Sequence, residues 1–358
     1  MQREFDPARL SLAQYTYRVL IAVAIVALAF LLWQLSQVVM LAFGGVLLAS
    51  VLRAMSDPLD RITPLSARAS LLVAIMILAG VIAGAAWLIG GQVAQQTAQL
   101  ANTLPGALQG VGDWLQSHPW GQWAVEIGRQ GAQGMRGAWS GVARFASGTF
   151  GAVANTLLIA FLGLYLAADP VLYRRGMLAL IPAQARERTG LALDQAAFAL
   201  KRWLLGQFFA MLAVGAVTGI GLTLLGVPQA LSLALIAGLL EFVPFIGPIL
   251  AAIPALLVAF TEGGMTPLYV ALLYLGVQQV EGYVLMPIVQ KWAVSLPPAL
   301  TIIGVVVFGL LFGVLGVLFA TPLMVVVLVL VQRLYVDTAI EHRPPRAAPR
   351  RRTRSAMG

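Results

Sequence analysis

The chain has 358 residues, 60% hydrophobic and 10% charged, with a net charge of +9. Soluble domains carry about 25% charged residues, so this composition excludes a protein that faces water all round. There is no cysteine, and the two histidines, His118 and His342, stand in polar surroundings; disulfides, thiol chemistry and a histidine-built metal centre are excluded, and no cofactor or metal is expected.

In chain order, residues 19–33 and 38–52 are apolar runs split by "QLSQ". As one helix they would span about 50 Å, too long for a ~30 Å hydrocarbon core, so two short, tightly turned helices are predicted. A basic loop follows (Arg53, Arg61, Arg68), and residues 69–91 make a third span. Residues 92–148 are richer in Gln, Gly and Ser and carry Trp114, Trp120, Trp123 and Trp139. This segment reads as amphipathic pieces outside the membrane. Residues 149–168 are the fourth span, and 169–202 are polar and basic, with a helix expected from about Pro182. Residues 203–226 form the fifth span, with Gly226 as its C-terminal residue and Pro228 starting the next helix. Three apolar stretches remain: 229–260, 265–287 and 299–331.

The expected fold is therefore all-α: a polytopic helical bundle of about eight membrane units, two of them broken or re-entrant. Residues 1–91 hold the first three helices, 92–148 the external segment, 149–168 the fourth helix and 169–202 a basic helical segment. Residues 203–335 form the C-terminal membrane region, and 336–358 a disordered basic tail. Arginine supplies most of the charge, with seven in the last 26 residues. Beside so much membrane, such a tail reads as a lipid-facing topology signal rather than a nucleic-acid binder. The N-terminus, 53–68, 169–202 and the tail are all basic, so the positive-inside rule places them and both termini in the cytoplasm, with 92–148 outside.

Two of the apolar stretches carry helix breakers. "EFVPFIGP" (241–248) puts Glu241, Pro244, Gly247 and Pro248 inside the first. The last contains Gly309, Gly313, Gly316 and Pro322. A proline frees the carbonyl four residues back and pushes its predecessor toward extended backbone, so 243–248 is expected to be non-helical. Irregular backbone at membrane depth survives only where it is enclosed by protein or lines a water-filled cavity. Paired broken segments are a pointer to a transport site. Each stretch either crosses once or enters and leaves by one face. Glu281, with Gln278 one turn earlier, and Glu241 are intramembrane ionisable residues and so functional candidates; a pairing of Glu281 with Lys291 is the structural alternative. The candidate substrate or coupling residues are Glu241, Pro244, Gly247, Pro248, Gln278, Glu281, Gly313, Gly316 and Pro322. The two broken stretches are expected to be neighbours, with the carboxylates beside them.

The order of "LYLAADPVLYRRGMLALIP", "RWLLGQ", "GLTLLGVPQALSLALIAGLLEFVPFIGPILAAIPALLVAF", "VQQVEGYVLMPIVQKWAVSLPP" and "GVLGVLFATPL" over 164–323 resembles the autoinducer-2 exporter family of bacterial membrane transporters. "LRAMSDPLDRI" is similar to that family's early cytoplasmic loop. Two positions depart from its pattern: Pro297 stands where a histidine is common, and Gln290 where a glycine is common. The resemblance implies a bacterial inner-membrane location and export of a small solute. It also implies links to a furanone-type signal and to sodium/proton exchange.

Of the function classes, a secondary transporter fits best. No Walker-type motif appears, so the energy would come from a proton or sodium gradient. A passive channel would favour a charged ring or carbonyl filter, and no such repeat is seen. An enzyme is not expected, because the membrane region lacks histidine and cysteine and no Gly-x-Ser-x-Gly occurs. The expected partners are a small-molecule substrate, membrane lipid and H+ or Na+, with room for a homo-oligomer and none for nucleic acid.

Overall fold

The computed structural model describes residues 35–116, 149–290 and 296–340, together with Leu20 and Val23. Nearly all of the 19–33 run, most of the tail, residues 117–148 and Lys291 lie outside the described residues. Within them the chain is helical and contains no strand. Five helices are long and apolar enough to cross a membrane, or six if one sharply bent pair counts as a span. The all-α polytopic expectation holds.

Helix α1 (Ser36–Ile62) is one helix of 27 residues. It continues through Pro58 into residues read from sequence as loop, leaving only 63–66 as the connection. Charge pairing accounts for the extension. Arg53 and Asp57 are one turn apart at 4.0 Å, and Lys201 reaches Asp57 at 2.7 Å. Helix α2 (Ala67–Gln116) is a single helix of 50 residues, about 75 Å long, with no boundary at residue 92. The Gln/Ala/Leu-rich stretch favours helix, and its distal part is held by packing that buries Leu100 and Ala107.

Helix α3 (Thr149–Ala168) is a 20-residue apolar span. Arg53 caps its end, donating from Nε to the Ala167 carbonyl at 2.7 Å. The chain then bends by 90° into the short α4 (Pro170–Ala179). "DP" sets that start: Pro170 occupies the first turn, and the Asp169 carboxylate accepts from the Leu172 amide at 3.0 Å. Helix α5 (Ala183–Leu224) is 42 residues long, starts after Pro182 as expected, and ends with Gly226 at φ 69°. Pro228 stands in the following turn, and the next helix begins two residues later than the sequence reading.

That helix, α6 (Ala230–Leu240), is followed by a turn at 241–245 and by α7 (Ile246–Glu262). The expected non-helical stretch is thus shorter than 243–248. Pro248 lies in the first turn of α7, where a missing N–H costs nothing, so residues 246–248 are helical. Leu233 shares a buried cluster with Ala255 and Val258, so the chain doubles back at the turn. A Cβ on Gly247 would collide with the Leu240 carbonyl oxygen, which fixes glycine there.

Helix α8 (Thr266–Val280) opens into a π-helical turn, Glu281–Leu285, and continues as the short α9 (Met286–Gln290). Pro287 cannot donate and its ring crowds the preceding turn, which accounts for the widening.

Helix α10 (Pro298–Val331) also doubles back. Gly313 has φ 63°, ψ −142°, a conformation closed to other residues. A Cβ on Gly309 would meet Val317 at 2.8 Å, one on Gly304 would meet Met324 at 2.6 Å, and one on Gly316 would collide with the Phe308 oxygen. Residues 298–312 and 314–331 are therefore the antiparallel arms of a second hairpin. The break is confined to Gly313. Pro322 is buried within the helical second arm rather than in a broken stretch. Both interrupted stretches thus turn back on themselves. A π-helical segment, Gln332–Ile340, ends the described chain.

Three apolar clusters join these pieces. One unites α1 (Met40, Leu47), α5 (Leu200, Trp203, Leu204) and the second hairpin (Leu315, Phe319, Val325, Val329). Another unites Leu100 of α2, Leu222 of α5, both arms of the first hairpin and Val270 of α8. A small third holds α1, α2 and α3 together through Leu52, Leu71 and Ala167. Helix α5 is the shared spine.

The hairpin geometry has a direct test. Gly316→Leu is expected to lower thermal stability in detergent by about 1–3 kcal/mol or to prevent folding, because the arms leave no room for a side chain. Gly80→Leu, on a face with nothing within 4 Å, is expected to leave it unchanged. Equal melting midpoints for the two variants would rule out the close-packed second hairpin.

Candidate functional site

The turn at 241–245 is where a helix cannot satisfy its own backbone, and the structure shows how that is met. The Leu240 carbonyl, freed by Pro244, accepts from the Val243 amide at 3.0 Å. The Pro244 carbonyl accepts from Ile246 at 2.9 Å, and Val243 from Gly247 at 2.8 Å. Phe245 takes a positive φ of 67° to close the turn. These carbonyls thus close on the turn itself. The Glu241 carbonyl is met from outside, by the Gln207 side-chain amide of α5, which donates to it at 2.6 Å.

Glu241 itself is fully buried, and Glu281 is 5% exposed. The two carboxyls lie close enough to interact, one from the end of α6 and the other from the π-helical turn after α8. Gln278 donates its amide to Glu281 Oε2 at 2.5 Å. Neither Glu241 oxygen has a hydrogen bond of acceptable geometry, and no described cation pairs with either acid. Two adjacent buried carboxyls cannot both carry charge without a bound proton or cation. Glu241 also sits at the C-terminal, negative end of the α6 dipole, which adds to that constraint. Chemically, the pair offers carboxyl oxygens between which one positive charge could be held.

Three polar groups on the neighbouring helices, Gln207, Tyr274 and Thr218, were not singled out by the sequence reading. Gln207 was visible as a lone amide in the apolar run 203–226. Tyr274, Gln278 and Glu281 repeat at i, i+4 and i+7 on one face of α8, a spacing that places them on one stripe. The hydroxyls of Tyr274 and of the fully buried Thr218 on α5 have no hydrogen-bond partner among the described residues.

Side chains beside both turns, Phe242 and Phe312, border one apolar cluster, without extensive helix-on-helix packing between the hairpins. Phe242 stacks edge-on against Trp203 at 5.8 Å between ring centroids. Phe242 also packs against the cluster that holds Leu315, with Phe312 beside the second turn doing the same. The side chains beside the second turn that join this cluster are apolar. Glu241, Pro244, Gly247, Gln278 and Glu281 gather at one end of the site. Pro248 lies just past the first turn, and Gly313, Gly316 and Pro322 shape the second hairpin.

Two interrupted hairpins on one long helix, with a buried acid pair at a turn, define a polytopic membrane protein of the transport class. The chain belongs to the AI-2E transporter family, whose family model, AI-2E family transporter, matches residues 20–335. Similar proteins carry provisional transport names. YrrI of Bacillus subtilis (strain 168), provisionally a transport protein, is 30% identical over 164 residues, 46% of each chain. The chain thus spans about half the length of that relative. YueF of the same organism, also provisionally a transport protein, is 24% identical over 302 residues, 80% of this chain and 82% of its own. PerM of Escherichia coli (strain K12), provisionally a permease, is 32% identical over 126 residues, 35% of this chain and 36% of its own.

Gln207→Leu should cost about 1–3 kcal/mol of stability, the penalty for leaving the buried Glu241 carbonyl without a donor. Thermal unfolding in detergent measures it. Leu205→Ala, at an exposed position two residues away, should cost much less.

Proposed function

We propose that this protein is a secondary transporter of the bacterial inner membrane that moves a small polar solute outward, driven by an ion gradient through Glu241 and Glu281. The observation that carries this reading is the pair of buried carboxyls, with no cationic partner among the described residues, at the turn of a re-entrant hairpin. Such a pair binds a proton or a sodium ion in one state and releases it in another, and the hairpin turn is the element able to couple that change to access. Membership of a transporter family supports transport; the solute class, direction and coupling are the proposal.

In this reading the basic residues of α1, α4 and the start of α5 lie on the cytoplasmic side, as do both termini. Helix α5 then crosses outward, and the first hairpin dips in from outside. Helix α8 returns, and the second hairpin dips in from the cytoplasm.

Two measurements test it. In proteoliposomes carrying an internal pH dye, an imposed sodium gradient should drive proton movement if the pair exchanges the two ions. Without exchange, an imposed pH gradient should drive uptake of a screened solute. Glu241→Gln and Glu281→Gln should each abolish the coupled signal, by tenfold or more, while leaving detergent-extracted protein monodisperse. Undiminished coupled flux in both variants would exclude the pair. For orientation, the cysteine-free chain allows single-site labelling. Glu262→Cys should react with an impermeant maleimide in intact cells, and Thr63→Cys only after permeabilisation.

A further inference from the structure

Helix α4 does no work in the bundle that explains its composition. None of its residues is buried, yet it exposes Val171, Leu172 (60%), Met177 (51%) and, at its end, Leu180 (88%). Arg174 turns inward, making a two-point ion pair with Asp194 of α5 at 2.7 and 2.8 Å. At about 100° per residue, Leu172, Gly176, Ala179 and Leu180 then share the opposite face, with Arg175 at its edge. Arg186 donates to the carbonyls of Ile181 and Ala179 and so fixes the turn that leads back into α5.

Its position in the membrane follows from its neighbours. Helix α4 leaves the end of the α3 span at 90°. With α3 crossing the bilayer, α4 lies in the membrane plane. The level is marked by Arg53, Asp57 and Lys201, a charged group that cannot lie deep in hydrocarbon and that caps the end of α3. Helix α4 begins two residues beyond that cap. An apolar face in the membrane plane at headgroup depth, edged by arginine, has the composition of an interfacial helix. Residues 170–202 carry six Lys/Arg against Glu187 and Asp194 alone, and Arg175 has no ion-pair partner among the described residues.

We propose that α4 is a lipid-docking helix. It inserts Leu172 and Leu180 at the headgroup–acyl boundary of the leaflet on the basic side, and Arg175 binds anionic phospholipid there. The occupant is the bilayer surface rather than a second copy of the chain, because the apolar face is narrow, one helix wide, and bordered by positive charge that a second copy would repeat. Through Arg174–Asp194 this contact anchors the start of α5, the helix on which both hairpins rest. The proposal stands independently of the ion-coupling reading.

The test uses full-length protein in vesicles of phosphatidylcholine, with or without phosphatidylglycerol. Leu172→Cys and Leu180→Cys, each the sole cysteine, carry an environment-sensitive dye. Nitroxide on the lipid headgroup or upper acyl chain should quench most of the emission, and aqueous iodide little of it. With phosphatidylglycerol present, adding Arg175→Gln should lower the docked-to-undocked ratio roughly fivefold, the contribution of one basic residue near an anionic surface. In neutral vesicles that substitution should have little effect. Full iodide access with no nitroxide quenching would overturn the proposal. So would inter-copy crosslinking at Leu180 that accounts for the iodide shielding, or an Arg175→Gln effect that is the same in both lipids. Circular dichroism of each variant separates these outcomes from misfolding.

Discussion

A chain immersed in lipid must satisfy every backbone polar group within itself, because hydrocarbon offers no partner and each open group costs several kcal/mol. The structure turns on the two places where a helix cannot meet this demand. At the first, three short amide–carbonyl bonds close the turn, and Gln207 supplies the donor for the Glu241 carbonyl. At the second, Gly313 takes a positive φ, and Gly309 and Gly316 let the arms approach. Both solutions depend on α5. Its residues near 188 meet the base of the second hairpin through the Arg333 carbonyl. Its residues 203–207 meet the first turn, and Leu222 meets the base of that hairpin.

Chemistry follows from the same constraint. The carbonyls of Leu240, Val243 and Pro244 are engaged within the turn, and that of Glu241 by Gln207. The groups free to interact are side chains: the Glu241 carboxyl, Glu281 with its Gln278 partner, and the hydroxyls of Tyr274 and Thr218. The π-helical turn at 281–285 shifts the register of α8 relative to α9, so an acid can face the hairpin while Pro287 is accommodated.

Much of this was legible in residues. Charge-free runs marked the spans, and Gly226 with Pro228 marked a helix end to within two residues, whereas α4, which "DP" opens, was not read as a separate helix. Pro244 and Gly313 marked the two turns, and two acids in apolar runs marked the site. What the sequence hid had physical causes. Pro248 and Pro322 looked like breakers, but a proline in a first turn or in an enclosed arm is tolerated. The 92–116 stretch looked like a separate polar segment. Its helix persists because Leu100 and Ala107 are buried, and because Gln96 accepts from the Ser232 amide at 3.1 Å, capping α6 from another helix. That bond joins residues 136 positions apart, and no local pattern encodes it. Gln207 was hidden for the same reason: its partner is a backbone carbonyl on a different helix, not another side chain with a recognisable spacing.

The energetic asymmetry of the first hairpin bears on how such a site works. Its base is held by a packed cluster that draws on three other helices, α2, α5 and α8. Its turn is held mainly by one side-chain hydrogen bond, worth about 0.5–1.5 kcal/mol net, and one aromatic pair worth about 0.5–1.5 kcal/mol beyond packing. Lipid supplies no hydrophobic force to press the turn home, since acyl chains are as apolar as leucine. Releasing the turn while the base stays packed thus costs roughly 1–3 kcal/mol from these two contacts, the range in which a minor state is populated at about 0.1–10%. The acid pair sits at that weak end. In the proposed mechanism, a positive charge bound between Glu241 and Glu281 would draw α8 and the turn together, and its loss would set two carboxyls against each other. A site placed at the base would have to work against the whole cluster. Placed at the turn, an ion has only a hydrogen bond and a ring contact to overcome.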